Sequence, residues 1–101
     1  PQFEAAVALA PRFFEAQLNL GKARYQQSDW AAARGALQRA VELRPSSADA
    51  HLSLAWALFR SNELAAADAE LARALECDAR LVDDESARRL GQELAEGLGG
   101  G

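Results

Sequence analysis

Equivalent side chains return every 34 residues along this chain. Phe3, Leu37 and Leu71 share one register, Ala6, Ala40 and Ala74 a second, and Val7, Val41 and Leu75 a third, while Pro11 recurs as Pro45. A unit of that length cannot bury its own apolar face and must stack on its neighbours. The repeat therefore confines the chain to a solenoid, and its function to a scaffold or a binding surface.

Composition narrows this further. With 101 residues, 50% of them apolar and 26% charged, the chain is one ordered domain at most. The formal charge of -4, with Lys and Arg scattered among Asp and Glu, leaves no basic stripe to neutralise a phosphate backbone. No nucleic-acid partner is expected. No purely apolar run, Leu54 to Phe59 being among the longest, approaches a bilayer span, so no membrane insertion is expected either. No signal-peptide pattern opens the sequence, and a cytoplasmic location is the expectation. Cys77 is the sole cysteine, which rules out an intrachain disulfide. Its register mates Leu9 and Leu43 are apolar, so it is expected as a small buried hydrophobe.

Apolar residues at helical spacing run from Phe14 to Gln27 and again from Trp30 to Leu43, separated by the turn residue Ser28 and the N-cap candidate Asp29. Arg44, Pro45, Ser46 and Ser47 break the pattern, because proline cannot continue a helix and serine caps the next. Runs from Ala48 to Arg60 and from Leu64 to Glu76, with a turn at Ser61 and Asn62, copy the first hairpin. Residues 2–11 read as the second helix of a preceding hairpin, closed by Pro11. The copying fails after Ala79. Asp83, Asp84 and Glu85 open a last helix whose stripe is Ala87, Leu90, Leu94 and Leu98, with Arg88, Arg89, Gln92, Glu93 and Glu96 outside. One docked face and one wet face describe a capping helix, and Gly97 and Gly99 to Gly101 should fray its end. The expected organisation is a half repeat at 2–11, repeats at 14–47 and 48–81, and a cap at 83–98.

The segment Leu20-Gly21-Lys22-Ala23-Arg24-Tyr25, followed by Asp29-Trp30, Ala33, Leu37, Ala40-Val41, Leu43 and Pro45, resembles the tetratricopeptide repeat. The second copy, Leu54-Ala55, Phe59, Leu64, Ala67, Leu71 and Ala74-Leu75, matches more loosely, with Ala79 in the place of proline. The resemblance implies an all-α fold, an α-α superhelix of stacked antiparallel hairpins. Small residues at Gly21 and Ala55 let the helices of a hairpin approach, Ala33, Ala40, Ala67 and Ala74 let successive helices interlock, and Trp30 and Leu64 fill space near the turns. Leu20, Gly21 and Arg24 are expected to face the second helix. Gln17 and His51 replace the family's large aromatic residue, so packing there should be weaker and wetter. Two full copies are few, which reads as a piece of a longer array with Phe3, Val7 and Leu9 exposed.

No catalytic constellation, cofactor motif or metal-ligand spacing is present: His51 is the only histidine, and neither a phosphate loop nor a cysteine pair occurs. His51 is expected to pack or hydrogen-bond, and the Asp83-Asp84-Glu85 run to cap a helix. An enzyme in its own right is not expected. In the resembled family the first helix of each hairpin lines a concave groove for peptides, which nominates Leu18, Asn19, Lys22, Tyr25, Leu52, Trp56, Phe59 and Arg60 as groove residues. Leu52, Trp56 and Phe59 form one helical stripe, a candidate hot spot for a partner. The competing reading buries Trp56 and Phe59 under the last helix, through Leu90 and Leu94. The family's clamp for a terminal carboxylate is not assigned, since only Asn19 and Lys22 fit it. The leading function is a scaffold that binds a peptide or helix of another protein. The alternatives are self-association into a homo-oligomer through exposed helix faces, and an accessory region of a larger bacterial enzyme such as a glycosyl- or sulfotransferase.

Overall fold

The computed structural model describes residues 2–99, with side chains described over residues 12–99. Its helices are α1 (Gln2–Gln26), α2 (Trp30–Leu43), α3 (Ala48–Arg60), α4 (Leu64–Cys77) and α5 (Glu85–Gly99), with a short 3-10 turn over Ala79–Asp83. No strand occurs among the described residues. Helices α2, α3 and α5 start at side-chain caps. Asp29 accepts from the Ala32 amide at 3.3 Å, Ser47 from Ala50 at 3.2 Å and Asp84 from Ala87 at 3.0 Å. Ser28 and Asn62, 34 residues apart, take left-handed φ values of 62° and 63° and reverse the chain at the two hairpin tips.

The expected break at Pro11 is absent, and α1 is a single helix of 25 residues. Proline fits helical φ, although it forfeits its amide bond and crowds the preceding turn, so a helix continues through it where nothing after it starts a new one. After Pro45 come Ser46 and Ser47, which cap a new helix, whereas Arg12 and Phe13 follow Pro11 and offer no competing cap. The expectation that Phe3, Val7 and Leu9 are exposed lies outside the described side chains.

Consecutive helices pack as antiparallel pairs, and α1, α3 and α5 also touch one another in order along one side of the stack. The core is a ladder of leucine and alanine: Leu37, Leu54, Ala33, Ala40, Ala50, Ala55, Ala57, Ala67 and Ala74 are fully buried, and α5 seals the far end with Leu90 and Leu94. Leu98, expected in the same stripe, is 49% exposed, and α5 continues through Gly97 to Gly99 where fraying was expected. Leu20, expected to face α2, is 41% exposed; Gly21 and Leu18 occupy the buried side of α1 instead. Its register mate Leu54 is fully buried because α3 packs against α2 as well as α4.

Gly21 marks the closest approach in the first hairpin. A methyl group there would meet Leu37 Cγ at 2.4 Å and Cδ2 at 2.6 Å. At the same place in the second hairpin Ala55 keeps its methyl fully buried, so the two hairpins differ by one carbon in how tightly they close.

His51 is not in a wet, loose site. It is 4% exposed, with Nε2 donating to the Pro45 carbonyl at 2.7 Å and Nδ1 2.7 Å from Glu70 Oε2. Arg73 donates to the other oxygen of Glu70. Both ring nitrogens therefore have a polar partner. One side chain thereby ties α3 to α4 and to the α2–α3 turn, replacing aromatic packing with a satisfied polar network. Gln17, its register mate on α1, has no counterpart to Glu70, because Ala36 stands there, and its Oε1 is buried without a partner.

Two stability outcomes are expected. Gly21→Ala should lower stability by about 1 kcal/mol, overpacking of about 1–3 kcal/mol being partly offset by about 1 kcal/mol of helix propensity. Gly35→Ala, with nothing within 4 Å of the added methyl, should raise it by about 0.5–1 kcal/mol. Urea denaturation of both variants checks the opposite signs. A double-mutant cycle over His51→Ala and Glu70→Ala should give a coupling of about 1–3 kcal/mol, and independent, additive losses would contradict the polar tie.

Candidate functional site

The row of helices α1, α3 and α5 encloses an open cleft of about 400 Å³. Lys22, Tyr25 and Gln26 enter from α1, Ser53, Trp56 and Arg60 from α3, and Ser86 and Arg89 from α5, with Leu37 at the floor. Residues 22, 25 and 26 and residues 53, 56 and 60 each fall on one side of their helix, so the 3.6-residue period presents them together. They lie opposite the stripe through His51, Ala55 and Leu58 that α3 turns toward α4.

Polar contacts bind the three walls to one another. Lys22 Nζ donates to Asp49 Oδ2 at 2.7 Å, linking α1 to α3, and Trp56 Nε1 donates to Ser86 Oγ at 2.8 Å, linking α3 to α5. Arg60 Nε donates to the Tyr25 hydroxyl at 3.4 Å, and its guanidinium stands 5.4 Å from the centroid of the Trp30 ring. Tyr25 in turn meets Trp30 edge-on at 5.0 Å. The hydrogen bond to Tyr25, the charge interaction with Tyr25 and the charge of Glu93 on α5 together outweigh burial and raise the guanidinium above its ordinary value. Arg60 is thus a fixed cation, and no carboxylate pairs with it among the described residues. Arg89 forms an exposed pair with Glu85 one turn away at 3.3 Å, and exposed pairs of this kind hold their partners weakly.

Of the residues nominated from the sequence, the structure brings Lys22, Tyr25, Trp56 and Arg60 into one cleft. Leu18 is 9% exposed and belongs to the core, so it offers no surface to a partner. Leu52 and Phe59 are half-buried against the core outside the lining, and Phe59 meets Trp56 edge-on at 5.9 Å. Asn19 is exposed beside the cleft and does not line it. The last helix docks through Leu90 and Leu94 and leaves Trp56 half-open. Gln26, Ser53, Ser86 and Arg89 were not nominated. Ser53 is the register mate of Asn19, and Ser86 and Arg89 lie beyond the repeat, where no register points to them.

On the other side of the stack, Gln38, Val41, Glu42, Pro45, His51, Glu70, Arg73, Glu76 and Cys77 surround a second hollow of about 460 Å³. Its buried groups, His51 and Glu70, already satisfy each other. Cys77 is exposed there, 3.6 Å from the Pro45 carbonyl, and not the buried hydrophobe its register implied. The position itself is superficial, since its register mate Leu43 is 45% exposed. Among the described residues no three metal-ligating side chains converge, and no helix is long and apolar enough to cross a membrane.

Comparison with known proteins agrees with this geometry. The family model described as tetratricopeptide repeat matches residues 1–41 and again 18–81. Among curated proteins no relative matches the chain. Repeats of this family generally mediate protein–protein interaction and are typically non-catalytic. The stacked hairpins, the alanine-lined interfaces and the matched residues together place this chain in the tetratricopeptide repeat family.

Proposed function

We propose that the chain is an interaction module whose cleft between α1, α3 and α5 docks a segment of a partner protein. The observation that carries this reading is the lining itself. It combines the half-open faces of Trp56 and Tyr25 with three cations: Lys22 and Arg89 are paired at the rim with Asp49 and Glu85, and Arg60 has no ion-pair partner among the described residues. The segment it suits sets an apolar side chain on Trp56 and an acidic one within reach of Arg60. Aromatic residues and arginine supply most of the binding energy in such sites, and the surrounding polar groups fix register. The cleft acts by holding a partner, with no group placed for bond-making chemistry.

Selection from a library of random peptides should enrich segments that pair an acidic residue with an aromatic or aliphatic one. Trp56→Ala and Arg60→Glu should each weaken a selected peptide by about tenfold or more, the equivalent of about 1.4 kcal/mol. Raising the salt concentration should weaken it further. Fluorescence anisotropy of labelled peptide measures all three, and unchanged affinity in both variants would remove the cleft as the docking site.

A further inference from the structure

Arg60 is held at one edge and open at the other. A guanidinium sets its N–H donors in one rigid plane, a single one on Nε and the rest on the two Nη atoms. The Nε donor goes to the Tyr25 hydroxyl at 3.4 Å, and the Trp30 ring lies 5.4 Å from Cζ. Among the described residues the Nη donors have no acceptor, and Arg60 is exposed in the lining of the cleft.

This pin joins the two hairpins, with Tyr25 at the end of α1, Trp30 at the start of α2 and Arg60 in the last turn of α3. In the second hairpin Phe59 and Leu64 stand in the places of Tyr25 and Trp30, so packing alone needs neither a hydroxyl nor an indole there. Charge then limits what the open edge takes. Lys22 and Arg89 already face Asp49 and Glu85, and after the Tyr25 contact the charge of Glu93 on α5 also keeps Arg60 protonated. One uncompensated cation near a carboxylate suits a singly charged group with two oxygens in a plane, which the Nη1–Nη2 edge matches bidentately. A phosphate monoester, at about −1.5 to −2 charges, would find no second unpaired cation in the lining among the described residues.

We propose that Tyr25 is a positioning residue: by accepting from Nε it holds the Arg60 guanidinium so that its Nη edge pairs bidentately with one Asp or Glu side chain of the docked segment. The assignment rests on docking in the cleft and adds which group is recognised there. An arginine already held loses less side-chain freedom when the partner arrives, and Trp30 restrains the same group from its face. Lysine at position 60 would keep the charge and lose the fork.

The test uses the whole chain and a labelled peptide selected on it, its C-terminus amidated so that no terminal carboxylate competes. Copies carry the amide of the acidic residue, or phosphoserine, in its place. Tyr25→Phe keeps the ring beside Trp30 and removes the acceptor; it should weaken the acidic peptide about fivefold and leave the amide copy unchanged. Arg60→Lys should weaken the acidic peptide about tenfold, and Tyr25→Phe added to Arg60→Gln should have no further effect. Without peptide, the Arg60 Nε–H resonance in a proton–nitrogen correlation spectrum should exchange with water more slowly than those of exposed Arg12 and Arg88, and should lose that protection in Tyr25→Phe. Equal losses for the acidic and amide peptides in Tyr25→Phe, tighter binding of the phosphoserine copy, or an unprotected Arg60 Nε–H would overturn the proposal. Unchanged affinity in Trp56→Ala and Arg60→Glu would remove docking in the cleft and this role with it. Weakened binding in those two variants, with none in Tyr25→Phe, would remove the positioning role alone.

Discussion

Helices in this molecule stand as far apart as a methyl group allows, and at Gly21 closer still. Leucine from one helix reaches over alanine or glycine of the next, so that Leu37 lies where residue 21 has no side chain and Ala33, Ala40, Ala67 and Ala74 leave no solvent between layers. Dispersion and apolar burial both fall steeply with separation, so this spacing is what makes two hairpins and a cap cohere as one body. The positions of Lys22, Trp56 and Arg89 follow from it. Three helices set side by side at fixed distance make a cleft; the same helices a little further apart make three separate surfaces.

Polar groups then set the details that apolar packing leaves free. Lys22 with Asp49 and Trp56 with Ser86 cross between neighbouring helices on the cleft side, and His51 with Glu70 and Pro45 does so on the other. The buried network matters more than the exposed pairs, because desolvated groups must keep their partners while exposed ions exchange theirs for water at little cost. Arg60 differs from both. It is steadied by a hydroxyl and an aromatic face and keeps its charge available to an incoming anion.

Much of the fold was legible because register is a local property repeated. Gly21, Ala33, Leu37, Ala40 and Pro45 announced the hairpin, and Asp29 and Ser47 its helix starts. Where register misled, a neighbour was missing or a partner lay far off in sequence. Leu20 and Leu54 are the same residue type at the same position, yet only the helix of Leu54 has a preceding hairpin packed against it. His51 looked like a loss of packing because Glu70, 19 residues away, was not recognised as its partner. Cys77 inherited an apolar register whose own member Leu43 is exposed. In the cleft, Lys22, Tyr25, Trp56 and Arg60 followed from the family resemblance, which singles out the first helix of each hairpin, while Ser86 and Arg89 depend on how α5 docks, which no repeat encodes. Leu18, one residue from Asn19, turns inward because α1 packs on α2 through the side that carries Phe14, Leu18 and Gly21.

The hairpin tips have a consequence for how the molecule is degraded. Residues 27–29 and 61–63 are all that separate the paired helices, and left-handed Ser28 and Asn62 fold each tip back on hydrogen bonds to the helix it leaves. A protease must draw several residues of substrate into extended form, and neither tip has that much slack. Cutting there requires whole helical turns to unwind first, so the rate of cleavage at the tips reports how often the stack opens rather than how these loops move.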